Sequence, residues 1–286
     1  MNNYQLIAFD MDGTLLNSDK QISPETLNAI KRAGDAGKTV ILCTGRNLAE
    51  LNAFTEIIPG LRYLDCVSGA CVYDLKEKKT LYSQALDPGI VKKLMEFALK
   101  EEAMIHVLSE RSIVQRDQQS HMADFHMGIY QTMFDKITDK LENIYNSFCQ
   151  EPFPVLKLNL YHKDEYSRAR TVERIKAAGL ETALALAEST SLECSAKGID
   201  KGVGLKKLCE HLGLPLEQTI AVGDADNDTM ALKTAGLSIA MGNATEPVNA
   251  LADVIVADCD HNGCAEAIDK YLLAENRPQK QVQERL

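Results

Sequence analysis

The sequence predicts an α/β protein: a parallel-sheet core whose chain leaves midway, builds a second α/β unit and returns. Three observations predict it. Near the start, short apolar runs alternate with amphipathic helical patterns, as in a sheet of crossover units. The middle reads instead as short strands around charged turns, and after residue 190 the first pattern comes back. Residues 1–84 and 188–286 are assigned to the core, and residues 85–187 to the inserted unit.

The elements follow in order. "YQLIAFD" (4–10) is almost continuously apolar, as expected of a strand buried on both faces. In "SPETLNAIKRAGDAG", Ser23 suits an N-cap, Pro24 the first helical position and Gly37 the stop. "TVILCTGR" (39–46) is a second strand with a polar end, and strand–helix–strand implies right-handed parallel pairing. "CVYDLKEKKTLYS" (71–83) reads as two short strands, and "PGIVKKLMEFALKEE" as an amphipathic helix. In the inserted unit, strands are expected at 104–108, 112–116 and 155–161, and helices near 136–148 and 164–178, forming an antiparallel sheet. Beyond it, "KGVGLKKLCEHLGL" is a helix, "TIAVGDADND" a strand with an acidic end, and "GLSIAMGN" and "ADVIVAD" are short strands. The polar tail "AENRPQKQVQERL" is expected to be poorly ordered.

Composition narrows the function. The 31 Lys and Arg against 41 Asp and Glu leave a net charge of −10, which argues against nucleic acid as the main partner. An anionic substrate must then be drawn in by local charges. No apolar run reaches the length of a membrane span, and "MNNYQLIAFD" reads as a first strand, not an export signal. The eight cysteines include no C-x-x-C pair and read as reduced core residues, so a cytoplasmic location is expected.

The chemistry is announced where strands end. Asp10 and Asp12 close the first strand and are followed at once by Gly13, which frees the backbone to turn. Ligands of open parallel sheets bind beyond such strand ends. "GDADND" places Asp224, Asp226 and Asp228 after another strand. A calcium loop is excluded, because its sixth position is Thr229 where Gly is needed and its twelfth is Ala235 where Glu is needed. If Asp10, Asp12, Asp224 and Asp228 share one sheet edge, four carboxylates converge. Each close pair would repel by roughly 1–4 kcal/mol at ~4 Å. A divalent cation relieves this, and an all-oxygen ligand set points to magnesium over zinc. Lys201 opens a helix, where the dipole disfavours a cation, so it is expected to meet an anion. Thr44 either binds a phosphate oxygen or caps the next helix. His121 and His126 are five apart, the wrong spacing for a zinc pair on one helical face.

Together, "DMDGTL" (10–15), "TGR" (44–46), "KGIDKGVGL" (197–205) and "GDADNDTM" (223–230) resemble the haloacid dehalogenase-like hydrolases of the Cof type. The resemblance spans the chain up to its tail. It implies a Rossmann-like core with an inserted α/β cap, and magnesium as cofactor. It also implies Asp10 as the nucleophile and Asp12 as the acid–base. Magnesium would be held by the Asp10 side chain, the Asp12 carbonyl and Asp224, with Asp228 in support. Phosphate would meet Thr44, Lys201, Asn227 and the backbone at Met11 and Gly45. The implied reaction is hydrolysis of a small phosphorylated metabolite, such as a sugar phosphate. A phosphomutase and a non-enzymatic phospho-receiver are the alternatives, and the paired Asp12 and the second domain argue against a receiver. One departure is Ser68 in "CVSGACVY", where the family usually has Asn before Gly-Ala.

Overall fold

The apolar runs assemble into one long sheet in the computed structural model, which describes residues 4–187 and 190–274. Its strands are β1 (Leu6–Phe9), β2 (Thr39–Cys43), β3 (Tyr63–Cys66), β4 (Cys71–Asp74) and β5 (Lys79–Ser83). A second set follows: β6 (Met104–Leu108), β7 (Ser112–Gln115), β8 (Thr138–Leu141), β9 (Lys157–Tyr161), β10 (Thr182–Ala187) and β11 (Ser191–Ala196). The last three are β12 (Thr219–Gly223), β13 (Leu237–Ala240) and β14 (Val254–Ile255).

The first sheet runs β14-β13-β12-β1-β2-β3-β4-β5. It is parallel from β14 to β3 and antiparallel through β4 and β5. Side chains alternate across the sheet. Leu6 and Ala8 therefore pack into one apolar cluster, and Ile7 and Phe9 into another on the opposite face. That is why β1 reads as an unbroken apolar run. The sheet order also turns at β1, with β2 on one side and β12 on the other. A crevice beyond the carboxyl ends of β1 and β12 follows. The helix Pro24–Asp35 starts as the sequence predicts, with the Ser23 side chain accepting from the Thr26 N–H and Pro24 in its first turn.

The second sheet runs β10-β11-β9-β6-β7-β8, antiparallel except for the β7–β8 pair. One face packs on the helix Pro88–Lys100 through Val91, Leu94, Met95, Ile105, Val107, Leu158 and Leu160. Two expectations are corrected here. The second sheet does not end at 187. β11 pairs with both β9 and β10 and carries the sheet to Ala196. "ETALALA" holds mostly alanine and leucine, so its strand character comes from cross-strand pairing, not from propensity. In place of one helix over 136–148 there are two, Gln131–Ile137 and Ile144–Gln150, with β8 between them. The boundary at 188 and the polar tail from 275 onward lie outside the described residues. Among the described residues, no helix is long and apolar enough to cross a membrane.

Candidate active site

β1 and β12 end side by side, and the loops beyond them carry the acidic residues. Asp10 directly follows β1 and is buried. Its Oδ1 accepts from Lys201 Nζ at 2.6 Å, and the same ammonium reaches Asp228 Oδ1 at 2.6 Å. The other oxygen of Asp228 accepts the backbone N–H groups of Asp224 (2.9 Å) and Ala225 (3.0 Å). Asp224 Oδ1 in turn accepts from Thr14 Oγ1 at 2.7 Å. Carboxylate oxygens of Asp10, Asp224 and Asp228 all lie within 4.8 Å of one another. Gly13 is required by this closeness as well as by its φ of +82°: a Cβ there would stand 2.3 Å from Asp224 Oδ2.

Lys201 opens the helix Lys201–Leu212, which is N-capped by Asp200. Its side chain has 0% exposure, and the anion it meets is the Asp10–Asp228 pair. Three carboxylates converge, not four. Asp12 is held apart by a two-pronged contact with Arg46 (Nε and Nη2, both 2.9 Å) and by Lys20 Nζ at 3.0 Å. The reason is local. The strand stops at Phe9, and the chain folds back through Leu15 N–H to Asp10 O and Leu16 N–H to Met11 O. Strand alternation therefore no longer governs where Asp12 points.

The two environments drive the carboxyls apart. Burial pushes Asp10 up to about 7, with Lys201 pulling the other way. Burial also lifts Asp224 to about 6. Burial acts upward on Asp12 too, but Arg46 and Lys20 outweigh it and hold that carboxyl below its usual range.

Thr44 directly follows β2 and is buried, its Oγ1 accepting from the Arg46 N–H at 3.2 Å. It is not the cap of the next helix, because Asn47 and Glu50 form that capping box. Thr44, Gly45 and Asn227 line one cleft of about 430 Å³ with Asp10 and Asp12. Met11 is buried in the core cluster, which leaves its backbone as the part that can serve a ligand. A larger cavity of about 640 Å³, lined by Thr80, Arg111 and Phe153 among others, holds none of these residues.

Four residues that no sequence motif singles out for a role belong here. Arg46 and Lys20 clamp Asp12. Lys157, on β9, donates to Gly45 O (3.0 Å), Ser68 Oγ (3.3 Å) and Glu193 Oε2 (3.1 Å), so the second sheet is pinned to the "TGR" and "VSGA" loops. Ser68 therefore takes the lysine at this junction, on a turn where Val67, Ser68 and Gly69 all have positive φ. Asp65 lies fully buried beside Gly204, its Oδ2 3.0 Å from Cys43 Sγ, and burial pushes its carboxyl up to about 8. A charged residue inside the apolar run "YLDC" was the available signal.

The sequence profile of the haloacid dehalogenase-like hydrolases matches residues 7–268. The chain belongs to that family. The 5-amino-6-(5-phospho-D-ribitylamino)uracil phosphatase YcsE of Bacillus subtilis is 29% identical, with 94% of this chain and 96% of that protein covered. The pyridoxal phosphate phosphatase YbhA of Escherichia coli is 27% identical, with 94% and 99% covered. The crystal structure of a haloacid dehalogenase-like hydrolase from Bacteroides thetaiotaomicron superposes with a TM-score of 0.80 at 27% identity, over 93% of this chain and 99% of that one. This haloacid dehalogenase-like hydrolase is a phosphatase with a mixed α/β fold and a parallel-sheet core.

Its donor set fits the magnesium generally used in the family. All the candidate ligands are oxygens, as a small hard cation requires. Three carboxylates face one ammonium, so the cluster is short of positive charge. Asp228 has both oxygens engaged, by Lys201 and by backbone N–H groups, so it positions the loop that presents Asp224.

Proposed function

We propose that this phosphatase hydrolyses small phosphorylated metabolites with magnesium, through an aspartyl phosphate formed on Asp10. The observation that carries the reading is a buried carboxylate, Asp10, at the floor of a cleft that also holds Thr44, Gly45, Asn227 and a second, separately charged carboxylate. Covalent catalysis needs such a nucleophile beside an acid–base group.

In this reading the Asp10 and Asp224 side chains and the Asp12 carbonyl hold magnesium, which when bound supplies the positive charge that lets an anionic phosphoryl group approach a carboxylate. Asp10 attacks phosphorus, and the bond to the leaving oxygen breaks. Asp12 gives that oxygen a proton, then takes one from the water that attacks the aspartyl phosphate, releasing inorganic phosphate and restoring the Asp10 carboxylate. Lys201 holds Asp10 in place and favours its ionised form against the upward push of burial. Thr44, Asn227, Lys201 and the backbone at Met11 and Gly45 bind phosphoryl oxygens. A phosphate arriving near Arg46 and Lys20 competes for their charge, which frees Asp12 and lets its affinity for a proton rise. The unit built on β6–β11 acts as a cap, tied to the phosphate loops by Lys157. The YcsE and YbhA names support small phosphorylated metabolites as the substrate class.

The test is phosphate release from an aryl phosphate. Chelation should abolish it and magnesium restore it, and Asp10→Asn should remove both turnover and the phosphoryl adduct seen by mass spectrometry of quenched enzyme. Full turnover in metal-free buffer, or an adduct that survives Asp10→Asn, would refute the reading.

A further inference from the structure

The wall of the cleft facing Asp10 is built by the second sheet, and it carries polar atoms with nothing to bind. Alternate residues of β9 share one face, which puts Lys157, Asn159 and Tyr161 together. Ser191 and Glu193 of β11 lie opposite Tyr161 and Asn159 in register and line the same cleft. Lys157 and Glu193 satisfy each other at 3.1 Å. Asn159 Nδ2 donates to Tyr161 OH at 3.2 Å. Asn159 Oδ1 and Ser191 Oγ, however, have no hydrogen-bond partner, although the residues are only 7% and 3% exposed. Native proteins rarely leave buried polar atoms unpaired, and one that persists calls for an explanation.

The adjoining wall is of opposite character. Met127, Tyr130, Met133 and Phe134 line it, and Met127 and Phe134 are buried. An occupant therefore meets an apolar surface on its face and an unfilled acceptor and hydroxyl along its edge. A polyol displays hydroxyls all round, and would leave some of them desolvated against the methionines and Phe134. A planar ring with apolar faces and one polar edge matches both walls.

We propose that Asn159 and Ser191 determine specificity by reading the edge of the leaving group. The class of leaving group is a planar nitrogen heterocycle bearing an amino, hydroxyl or ring N–H donor. The inference rests on the phosphatase reading above and names the substrate class for that site. The Asn159 carbonyl accepts from the ring's donor, Ser191 Oγ completes the edge, and the ring face lies on Met127, Met133 and Phe134.

The experiment compares kcat/KM for pyridoxal 5′-phosphate and thiamin monophosphate, for glucose 6-phosphate, and for p-nitrophenyl phosphate, which has a ring but no donor on its edge. At least one heterocycle should exceed glucose 6-phosphate by about tenfold or more. Asn159→Leu should cut the ratio of that heterocycle to p-nitrophenyl phosphate by about tenfold or more, because a site built to bond a donor discriminates strongly by it. Ser191→Ala, a smaller change, should cut the same ratio by a smaller factor. Titration calorimetry with the dephosphorylated alcohols pyridoxal and glucose reads the cap wall without turnover. Pyridoxal should bind more tightly than glucose, and Asn159→Leu should erase the difference. A preference for glucose 6-phosphate, or equal losses on the heterocycle and p-nitrophenyl phosphate, overturns the inference. Failure to hydrolyse any ester with magnesium would instead overturn the phosphatase reading, while the calorimetry still decides the cap wall.

Discussion

Replacing Lys201 by methionine removes the one ammonium wedged between Asp10 and Asp228 while keeping most of the buried volume. Both contacts are 2.6 Å, and the lysine side chain is fully buried. Breaking a buried ion pair by deleting one partner typically costs ~3–5 kcal/mol, because the remaining charge stays buried without compensation. Here a proton can partly take the lysine's place. Asp10 already stands at about 7 with the lysine beside it, against 3.8 when unburied, and loss of Lys201 raises it further. A carboxyl raised in the folded state gives stability at low pH that is lost as pH climbs to the folded pKa. In the natural protein that loss ends near pH 7; in Lys201→Met it continues above. The stability gap should therefore be present at pH 7 and widen above it, by up to ~1.4 kcal/mol per pH unit per proton. Urea unfolding in chelator at pH 6, 7, 8 and 9 measures this. Equal midpoints, or a gap that does not change with pH, would show that Lys201 does not neutralise Asp10.

Three further outcomes are expected. Gly13→Ala places a Cβ 2.3 Å from Asp224 Oδ2 at a φ unfavourable to alanine, so the magnesium concentration for half-maximal phosphatase activity should rise tenfold or more, roughly the cost of a displaced ligand; an unchanged magnesium requirement would contradict the crowding. His106 is buried against Ser112 and held down to about 3 by burial, with Lys157 adding to it, so the unfolded chain takes up the proton first as pH falls from 6.5. Stability should drop by about 2 kcal/mol between pH 6.5 and 4.5 through this group, and His106→Gln should lose that part of the slope in urea unfolding. Asp12→Asn should slow alkyl phosphate hydrolysis by about 10²–10⁴-fold and aryl phosphate hydrolysis by less, because a good leaving group needs little protonation; equal losses on both esters would remove Asp12 from the acid–base role.

Much of this protein is legible in its sequence because the chemistry involved is local. The unbroken apolar run of β1 reflects a strand covered on both faces, and Ser23 and Pro24 start a helix by bonds within one turn. The paired acidic strand ends and a lysine at a helix start point to a shared site, because such groups are costly wherever nothing compensates them. What the sequence left open depends on contacts across the fold. Asp12 sits two residues from Asp10, yet its partner is Arg46, 34 positions away, and a turn at Met11 that no periodicity announces sets it apart. β10 becomes a strand by pairing with β11, since an alanine-rich segment has little strand preference of its own. Asn159 and Ser191 are ordinary polar residues in the sequence. Their lack of partners exists only once the chain is packed, because burial, which makes an unpaired oxygen matter, is a property of the folded chain and not of any residue in it.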